Sequence, residues 1–146
     1  FIMKKTIIII ILIMITITGC NKKKELSINI NLDLDDKIYM ISYEYYINNK
    51  VSGGSSITKS NFKQLGSSVN FKIKSRSPYK IKENDKIKFK FYLTKDIDKA
   101  KSSNIILEDN LSTNITEELI IDFNKEYNFK ISENLNKKLE VVYLNN

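Results

Sequence analysis

The stretch Lys86-Ile87-Lys88-Phe89-Lys90-Phe91-Tyr92-Leu93 decides the fold of this chain. Apolar side chains occupy every second position, and lysine or tyrosine occupies the positions between them. Because successive side chains of a β-strand point to opposite faces of the sheet, this alternation predicts a strand with one buried and one solvated face. We therefore expect Phe89 and Phe91 in the core and the lysines in solvent.

The same alternation recurs on both sides of this stretch and predicts further strands. They cover Leu26–Leu34, Lys37–Ile47, Val69–Ile73, Leu119–Phe123, Tyr127–Ile131 and Leu139–Leu144. The second of these carries apolar side chains on both faces, which is typical of a central strand. The stretch Leu119–Phe123 also fits a helix that begins after Asn114 or Thr116. The strand is favoured because Asn124-Lys125-Glu126 then forms a turn into the next strand.

Short polar segments between the strands predict turns, because their residue types dominate tight turns. The candidates are Asp35-Asp36, Asn48-Asn49-Lys50 and Glu83-Asn84-Asp85. The segment Val51–Ser60 contains Ser52-Gly53-Gly54-Ser55-Ser56 and is interpreted either as a mobile loop or as a bulged edge strand. Asp96 is expected to cap one helical turn that ends at Lys101, before a short apolar run at Ile105–Leu107.

Seven or eight strands with no long amphipathic helix between them predict an all-β domain, built as an antiparallel β-sandwich. The architecture resembles that of immunoglobulin-like or transthyretin-like domains. The chain has one cysteine and no tryptophan, so the disulfide and tryptophan that mark true immunoglobulin domains are absent. Residues 26–146 are expected to form this single domain. Without a disulfide, its stability depends on packing.

The N-terminal stretch Met3–Cys20, MKKTIIIIILIMITITGC, has a different composition. Two lysines precede an apolar run, a small residue and the only cysteine, which is the layout of a signal peptide helix and its cleavage site. The last four residues, Ile17-Thr18-Gly19-Cys20, resemble the lipobox of bacterial lipoproteins. That resemblance implies that Cys20 carries a diacylglyceryl group with acyl chains such as palmitate and becomes the new N-terminus.

This interpretation divides the chain at Cys20. Residues 1–19 form the signal peptide, with Met3 as the natural start, and residues 20–25 form the lipidated cysteine and a polar tether. Lipid would then hold the protein at the extracytoplasmic side of the cell membrane or the outer membrane. The alternative is a transmembrane anchor. It is disfavoured because Ile7–Ile17 is shorter than the roughly 20 apolar residues that a spanning helix needs.

The residue types of the chain restrict its chemistry. There is no histidine, so a Ser-His-Asp triad cannot form and the commonest zinc ligand is missing. No catalytic residue, cofactor or metal is predicted. Asp33, Asp35 and Asp36 are close enough to share a calcium ion, but they lack the glycine and the distant glutamate of an EF-hand loop. A solvated turn is the favoured interpretation of these aspartates.

The formal net charge of +7 raises the question of an anionic partner. Export and a single arginine, Arg76, argue against nucleic acid. Lysines on two predicted strands would merge into one basic patch if those strands are neighbours in one sheet. They are Lys72, Lys74, Lys86, Lys88 and Lys90. Such a patch would attract lipid headgroups or an acidic glycan, or it would be no more than a solvated face.

Four tyrosines lie in one predicted strand: Tyr39, Tyr43, Tyr45 and Tyr46. Their rings could stack on sugars, but a core position is favoured because three of them share a face with Ile41 and Ile47. The function favoured overall is a membrane-anchored cell-envelope lipoprotein that acts as a non-catalytic interaction or adaptor module for another envelope protein. The first alternative is an envelope module that binds a glycan or polyanion. The second is a carboxylate-based hydrolase, although no two carboxylates have the apolar surroundings that would raise the pKa of one.

Overall fold

The computed structural model describes residues 24–76, 80–102 and 111–144. In these ranges the strands are β1 (Glu25–Asp33), β2 (Met40–Ile47), β3 (Lys50–Thr58), β4 (Ser68–Lys74), β5 (Lys86–Thr94), β6 (Leu119–Ile120), β7 (Glu126–Glu133) and β8 (Leu139–Leu144). A short 3₁₀ helix covers Ser60–Phe62, and helix α1 covers Ile97–Lys101. The predicted signal peptide, Cys20 and the apolar run at Ile105–Leu107 lie outside the described residues.

The strands form two four-stranded sheets that pack face to face. The first sheet has the order β4-β1-β7-β8, and the second has the order β3-β2-β5-β6. Neighbouring strands are antiparallel except β1 and β7, which are parallel. The predicted all-β sandwich is confirmed. Its strand order departs from the immunoglobulin-like alternative, because β1 and β2 lie in different sheets whereas the first two strands of an immunoglobulin domain share one.

The core lies between the two sheets and is built by the alternation visible in the sequence. Phe89 and Phe91 of β5 are fully buried, as predicted, and their ring centroids lie 5.4 and 5.6 Å from that of Phe129 on β7. Burying a side chain of this size stabilises a fold by roughly 1.5–3 kcal/mol. Strand β1 contributes its alternate positions Leu26, Ile28, Ile30 and Leu32.

Local sequence signals explain the ends of several elements. Asn48 and Asn49 both have positive φ, at 49° and 66°, and Ile47 pairs with Lys50 across them. This is the geometry of a type I′ hairpin, which requires positive φ at both central positions and so favours glycine, asparagine and aspartate there. Asp96 caps α1 as predicted, because its carboxylate accepts hydrogen bonds from backbone N–H groups of the first turn.

Strand β3 confirms the bulged-edge interpretation of the glycine-serine segment. Its pairing with β2 shifts register, because Tyr45 lies opposite Gly53 while Tyr46 lies opposite Val51. Ser52 is therefore the extra residue of a β-bulge. Strand β2 lies between β3 and β5, so its predicted central position is also confirmed.

The outer face of β5 is not solvated along its whole length. Tyr92 and Thr94 at its C-terminal end are only 5% and 4% exposed, and their pairing partners Ser42 and Met40 on β2 are buried as well. Helix α1 lies against this end of the strand, with Ala100 buried. The lysine and tyrosine positions of β5 are thus not equivalent, which alternation alone could not predict.

The strand predicted over residues 119–123 is confirmed only for Leu119–Ile120, the two residues of β6. Beside it, the segment before β6 runs along β5 and takes the place of a longer strand. The backbone N–H groups of Thr113 and Thr116 donate to the carbonyls of Phe91 and Phe89. In return, the two threonine hydroxyls accept hydrogen bonds from Phe91 N–H and Phe89 N–H at 3.1 and 2.9 Å. Threonine side chains therefore complete the pairing of β5.

Candidate binding surfaces

The structure does not bring the five predicted lysines together. Lys72 and Lys74 lie on β4 in the first sheet, whereas the other three lie on β5 in the second sheet. Alternation sends all of these side chains to the outer face of their sheet. The outer faces of two packed sheets point in opposite directions, so the single merged patch is not formed. A merged patch would require β4 and β5 to be neighbours in one sheet.

The lysines of β5 have partners within the domain. Lys86 Nζ lies 2.7 Å from the Glu118 carboxylate, and this hydrogen bond holds the pKa of Glu118 below its usual value. Lys88 Nζ lies 3.8 Å from the same carboxylate. Lys90 Nζ lies 5.0 Å from the centroid of the Tyr92 ring, within cation–π range. The positive charge of this face is therefore partly balanced.

A groove of about 340 Å³ opens on the side of the sandwich where β3 and β4 form the edges of their sheets. We call it the edge groove, defined by Tyr43, Tyr45, Ser55, Lys72, Lys74 and Arg76. Two of the predicted lysines and two of the predicted tyrosines therefore line one concave site. The only arginine of the chain joins them.

Two glycines of β3 permit close contacts with β2 beside the edge groove. A Cβ atom on Gly54 would collide with the carbonyl oxygen of Tyr43, and one on Gly53 would lie 2.5 Å from the hydroxyl oxygen of Tyr45. Neither position can carry a larger side chain without movement of its neighbour. The Tyr45 ring therefore packs directly against Gly53.

The tyrosines of β2 divide between the two faces of the strand. Tyr43 is 7% exposed and stacks on Phe71, with ring centroids 4.6 Å apart, so its predicted core position is confirmed. Tyr45 is half-buried against the core. Burial raises the pKa of both hydroxyls, which therefore stay protonated at neutral pH and can donate hydrogen bonds. Tyr46 points to the outer face and Tyr39 precedes the strand, so the four tyrosines form no common platform.

The three aspartates considered for calcium face different cations. Asp33 Oδ2 lies 2.6 Å from Lys130 Nζ, and Asp36 pairs with Lys95 Nζ. Asp35 is exposed in the bend between β1 and β2. Within the described ranges, no group of three or more His, Cys, Asp or Glu side chains is close enough to hold a metal ion.

Strand β8 forms the other edge of the first sheet and exposes apolar side chains. Leu139 and Val141 are buried as predicted, but Val142 and Leu144 on the outer face are 53% and 38% exposed. The carboxamide oxygen of Asn114 accepts a hydrogen bond from Val141 N–H at 2.9 Å and so covers one donor of the edge. An exposed apolar edge strand is a template for pairing with another chain.

The other edge strands each carry a feature that discourages such pairing. Strand β4 presents Lys72 and Lys74, β3 is bulged at Ser52, and β6 is only two residues long. Lysines, bulges and short length are the devices by which natural sheets protect their edges. Strand β8 contains no lysine, proline or bulge, and Glu140 is its one charged residue. Among the described strands, it is therefore the edge best suited to a partner.

Sequence reasoning missed several residues of these surfaces. The sequence shows the run of small residues on β3. It does not show that this run lies beside Arg76, because that requires β3 and β4 to be edges on the same side of the sandwich. The alternation of β8 already placed Val142 and Leu144 outward. Nothing in the sequence indicated that this strand is an edge, because neighbour order is a property of the whole sheet.

No helix among the described residues is long and apolar enough to cross a membrane. No protein-family model, no curated protein and no solved structure matches this chain. What the protein does must therefore be inferred from its surfaces and its N-terminal sequence.

Proposed function

We propose that this protein is a cell-envelope lipoprotein whose sandwich is a non-catalytic interaction module. Lipid on Cys20 anchors it at the extracytoplasmic side of the membrane, and another envelope protein adds a strand to the free edge of β8. The lipobox-like sequence Ile17-Thr18-Gly19-Cys20 supports the anchor. The exposed apolar edge of β8 is the observation that carries the interaction.

Strand addition uses groups that β8 already presents. A partner strand would pair with the main chain of β8 and displace the Asn114 carboxamide from Val141 N–H. Its apolar side chains would cover Val142 and Leu144, which removes their exposed surface from water. Main-chain pairing supplies affinity in this mode of recognition, and the side chains supply specificity.

The short tether between the anchor and β1 supports a partner in the envelope. Leu144 pairs with Asn128, which pairs in turn with Asn29, the middle residue of β1. The residues between Cys20 and Glu25 span at most about 18 Å when fully extended. A tether this short holds the sandwich near the lipid surface, within reach of a second envelope-bound protein.

Cross-linking in intact cells tests this function. A tagged wild-type chain, treated with an amine-reactive cross-linker, is expected to yield an adduct with a different envelope protein. Val142→Glu combined with Leu144→Glu should abolish that adduct, because it places two charges on the free edge of β8, which we call the docking edge. The matched control, Ser68→Glu with Asn70→Glu, adds the same charges to exposed positions of the opposite edge, β4, and should keep it. Equal adducts from all three chains would refute docking at β8.

A further inference from the structure

We infer that the edge groove binds an acidic sugar unit, such as a uronic acid residue of an envelope polysaccharide. This site goes beyond the docking edge proposed above, because β4 and β8 are opposite edges of the first sheet. Each site can therefore be disabled without altering the other.

The charges at the edge groove favour an anion. Lys72 Nζ and Lys74 Nζ lie 3.6 and 3.8 Å from the Glu25 carboxylate, and the lysine side chains are 62% and 52% exposed. Ion pairs this exposed contribute little to stability, so a ligand carboxylate can replace Glu25 at small cost. Arg76 adds a planar guanidinium, which can bind a carboxylate through two parallel hydrogen bonds. Three cations and one carboxylate leave an excess of positive charge at the site.

The opposite wall of the groove suits the rest of a sugar. Tyr45, which is only half-buried, supplies aromatic surface and a protonated hydroxyl, and beside it lie the hydroxyls of Tyr43 and Ser55, which hydrogen-bond to each other. Sugars combine apolar C–H faces with many hydroxyls, so a wall of this composition can both pack against the ring and hydrogen-bond to it. The volume of about 340 Å³ falls in the range of small-ligand sites.

The concave shape separates this ligand from a membrane surface. A bilayer meets a protein through protruding cations on a broad face, whereas Lys72, Lys74 and Arg76 border a recess between two edge strands, with the two ammonium groups beside Glu25. A single anionic unit with a polar ring fits such a recess. We therefore assign the groove to an acidic sugar and treat lipid headgroups as the outcome that would overturn the assignment.

Calorimetric titration of the whole chain, held in neutral detergent micelles, tests the inference. The probe is a tetramer of galacturonic acid, and a neutral galactose tetramer is the comparison. We expect the acidic tetramer to bind, the neutral tetramer not to bind, and the affinity to fall as salt is raised. Lys72→Gln with Lys74→Gln should lower the affinity by about tenfold or more. Ser55→Trp, which fills the groove without changing charge, should abolish binding.

Two matched variants show whether the groove itself is responsible. Lys86→Gln with Lys88→Gln removes the same two charges from the other sheet, and Val142→Glu with Leu144→Glu disables the docking edge. Both should keep sugar affinity within about twofold of wild type at moderate salt, where distant charges are screened. An equal loss from the β5 variant would mean that binding follows net charge, and it would overturn the inference. Absence of binding at millimolar sugar would also overturn it, as would equally tight binding of soluble short-chain phosphatidylglycerol.

Discussion

Thr116 shows how a single side chain completes the fold at the scale of one residue. It is 5% exposed, and its hydroxyl accepts a hydrogen bond from Phe89 N–H at 2.9 Å, in the most buried part of β5. Replacing Thr116 with Val keeps the shape of the side chain but leaves this buried N–H without an acceptor. We expect Thr116→Val to lower the free energy of unfolding by about 1–3 kcal/mol.

Urea denaturation measures this difference, and Thr58→Val is the matched control. Thr58 is an exposed residue at the end of edge strand β3, so its replacement should change stability by no more than about 0.5 kcal/mol. Amide hydrogen exchange at Phe89 should also accelerate in Thr116→Val. Equal stabilities for the two variants would show that the threonine hydroxyl does not support β5.

Residue-scale prediction from sequence worked where a side chain follows the strand period. Phe89 and Phe91 alternate with lysine, and both are buried. It failed for Tyr92, which shares the lysine face but is covered at the end of β5 near α1. It also could not predict the role of Thr113 and Thr116, because their partners lie more than twenty positions earlier in the chain.

Lys95 links elements from both sheets. It follows β5 of the second sheet, and its ammonium group lies 3.0 Å from Glu133 at the end of β7 in the first. It also pairs with Asp36, between β1 and β2. Burial alone would lower the pKa of Lys95, but the hydrogen bonds to the two carboxylates outweigh burial and raise it. The hydrogen bond from Lys95 lowers the pKa of Asp36 below 3.8.

The directions of these two pKa shifts determine how the stabilisation by the Lys95–Asp36 ion pair depends on pH. A carboxyl group with a lowered pKa contributes stability that is present above its ordinary value of 3.8 and is lost as pH falls through the folded value. A lysine with a raised pKa contributes stability that is present below 10.5 and is lost at higher pH. We expect Lys95→Gln to lower the melting temperature at pH 7, and the difference from wild type to shrink as pH falls below 3.8.

Thermal melts from neutral to acidic pH measure this effect, and Lys63→Gln is the control for loss of one charge. Lys63 is exposed in the connection between the 3₁₀ helix and β4. Its replacement should leave the melting temperature unchanged across the same range. A constant difference between Lys95→Gln and wild type down to pH 2 would show that Asp36 does not contribute through its charge.

At the scale of elements, alternation predicted the strands but not their neighbours. Strands β1, β5, β7 and β8 follow the sequence pattern closely, and the asparagine turn between β2 and β3 has the residue types its geometry requires. The sheet to which a strand belongs depends on which apolar faces pack together. Every strand has a similar apolar face, so the sequence does not identify its neighbours. The predicted lysine patch was wrong for this reason: β4 and β5 are consecutive in the chain but lie in different sheets.

The whole molecule is organised around the end at which β1 begins. Strands β1 and β7 start there, and β8 runs back toward it and ends with Leu144 level with Asn29, in the middle of β1. An anchor at Cys20 would hold this end of the sandwich at the membrane surface. Prediction of this arrangement from sequence alone would have required the parallel pairing of β1 with β7.

The anchor itself can be tested by labelling cells with a fatty acid. Cys20 is the only cysteine of the chain and ends the lipobox-like sequence, so it is the expected site of lipid attachment. We expect Cys20→Ser to abolish the label and to leave the precursor uncleaved, while Ser27→Ala on β1 keeps full labelling. Label that persists in Cys20→Ser would contradict the lipoprotein interpretation.

Site-specific photo-cross-linking in intact cells tests the central claim most directly. A photoreactive amino acid replaces Val142 on β8 in one chain and Asn70 on β4 in another. We predict one adduct of defined mass from position 142, containing a different envelope protein, and no adduct from position 70. Leu144→Glu in the same chain should remove the adduct. Similar adducts from both positions, none from position 142, or an adduct of two copies of this chain would contradict an adaptor that docks through β8.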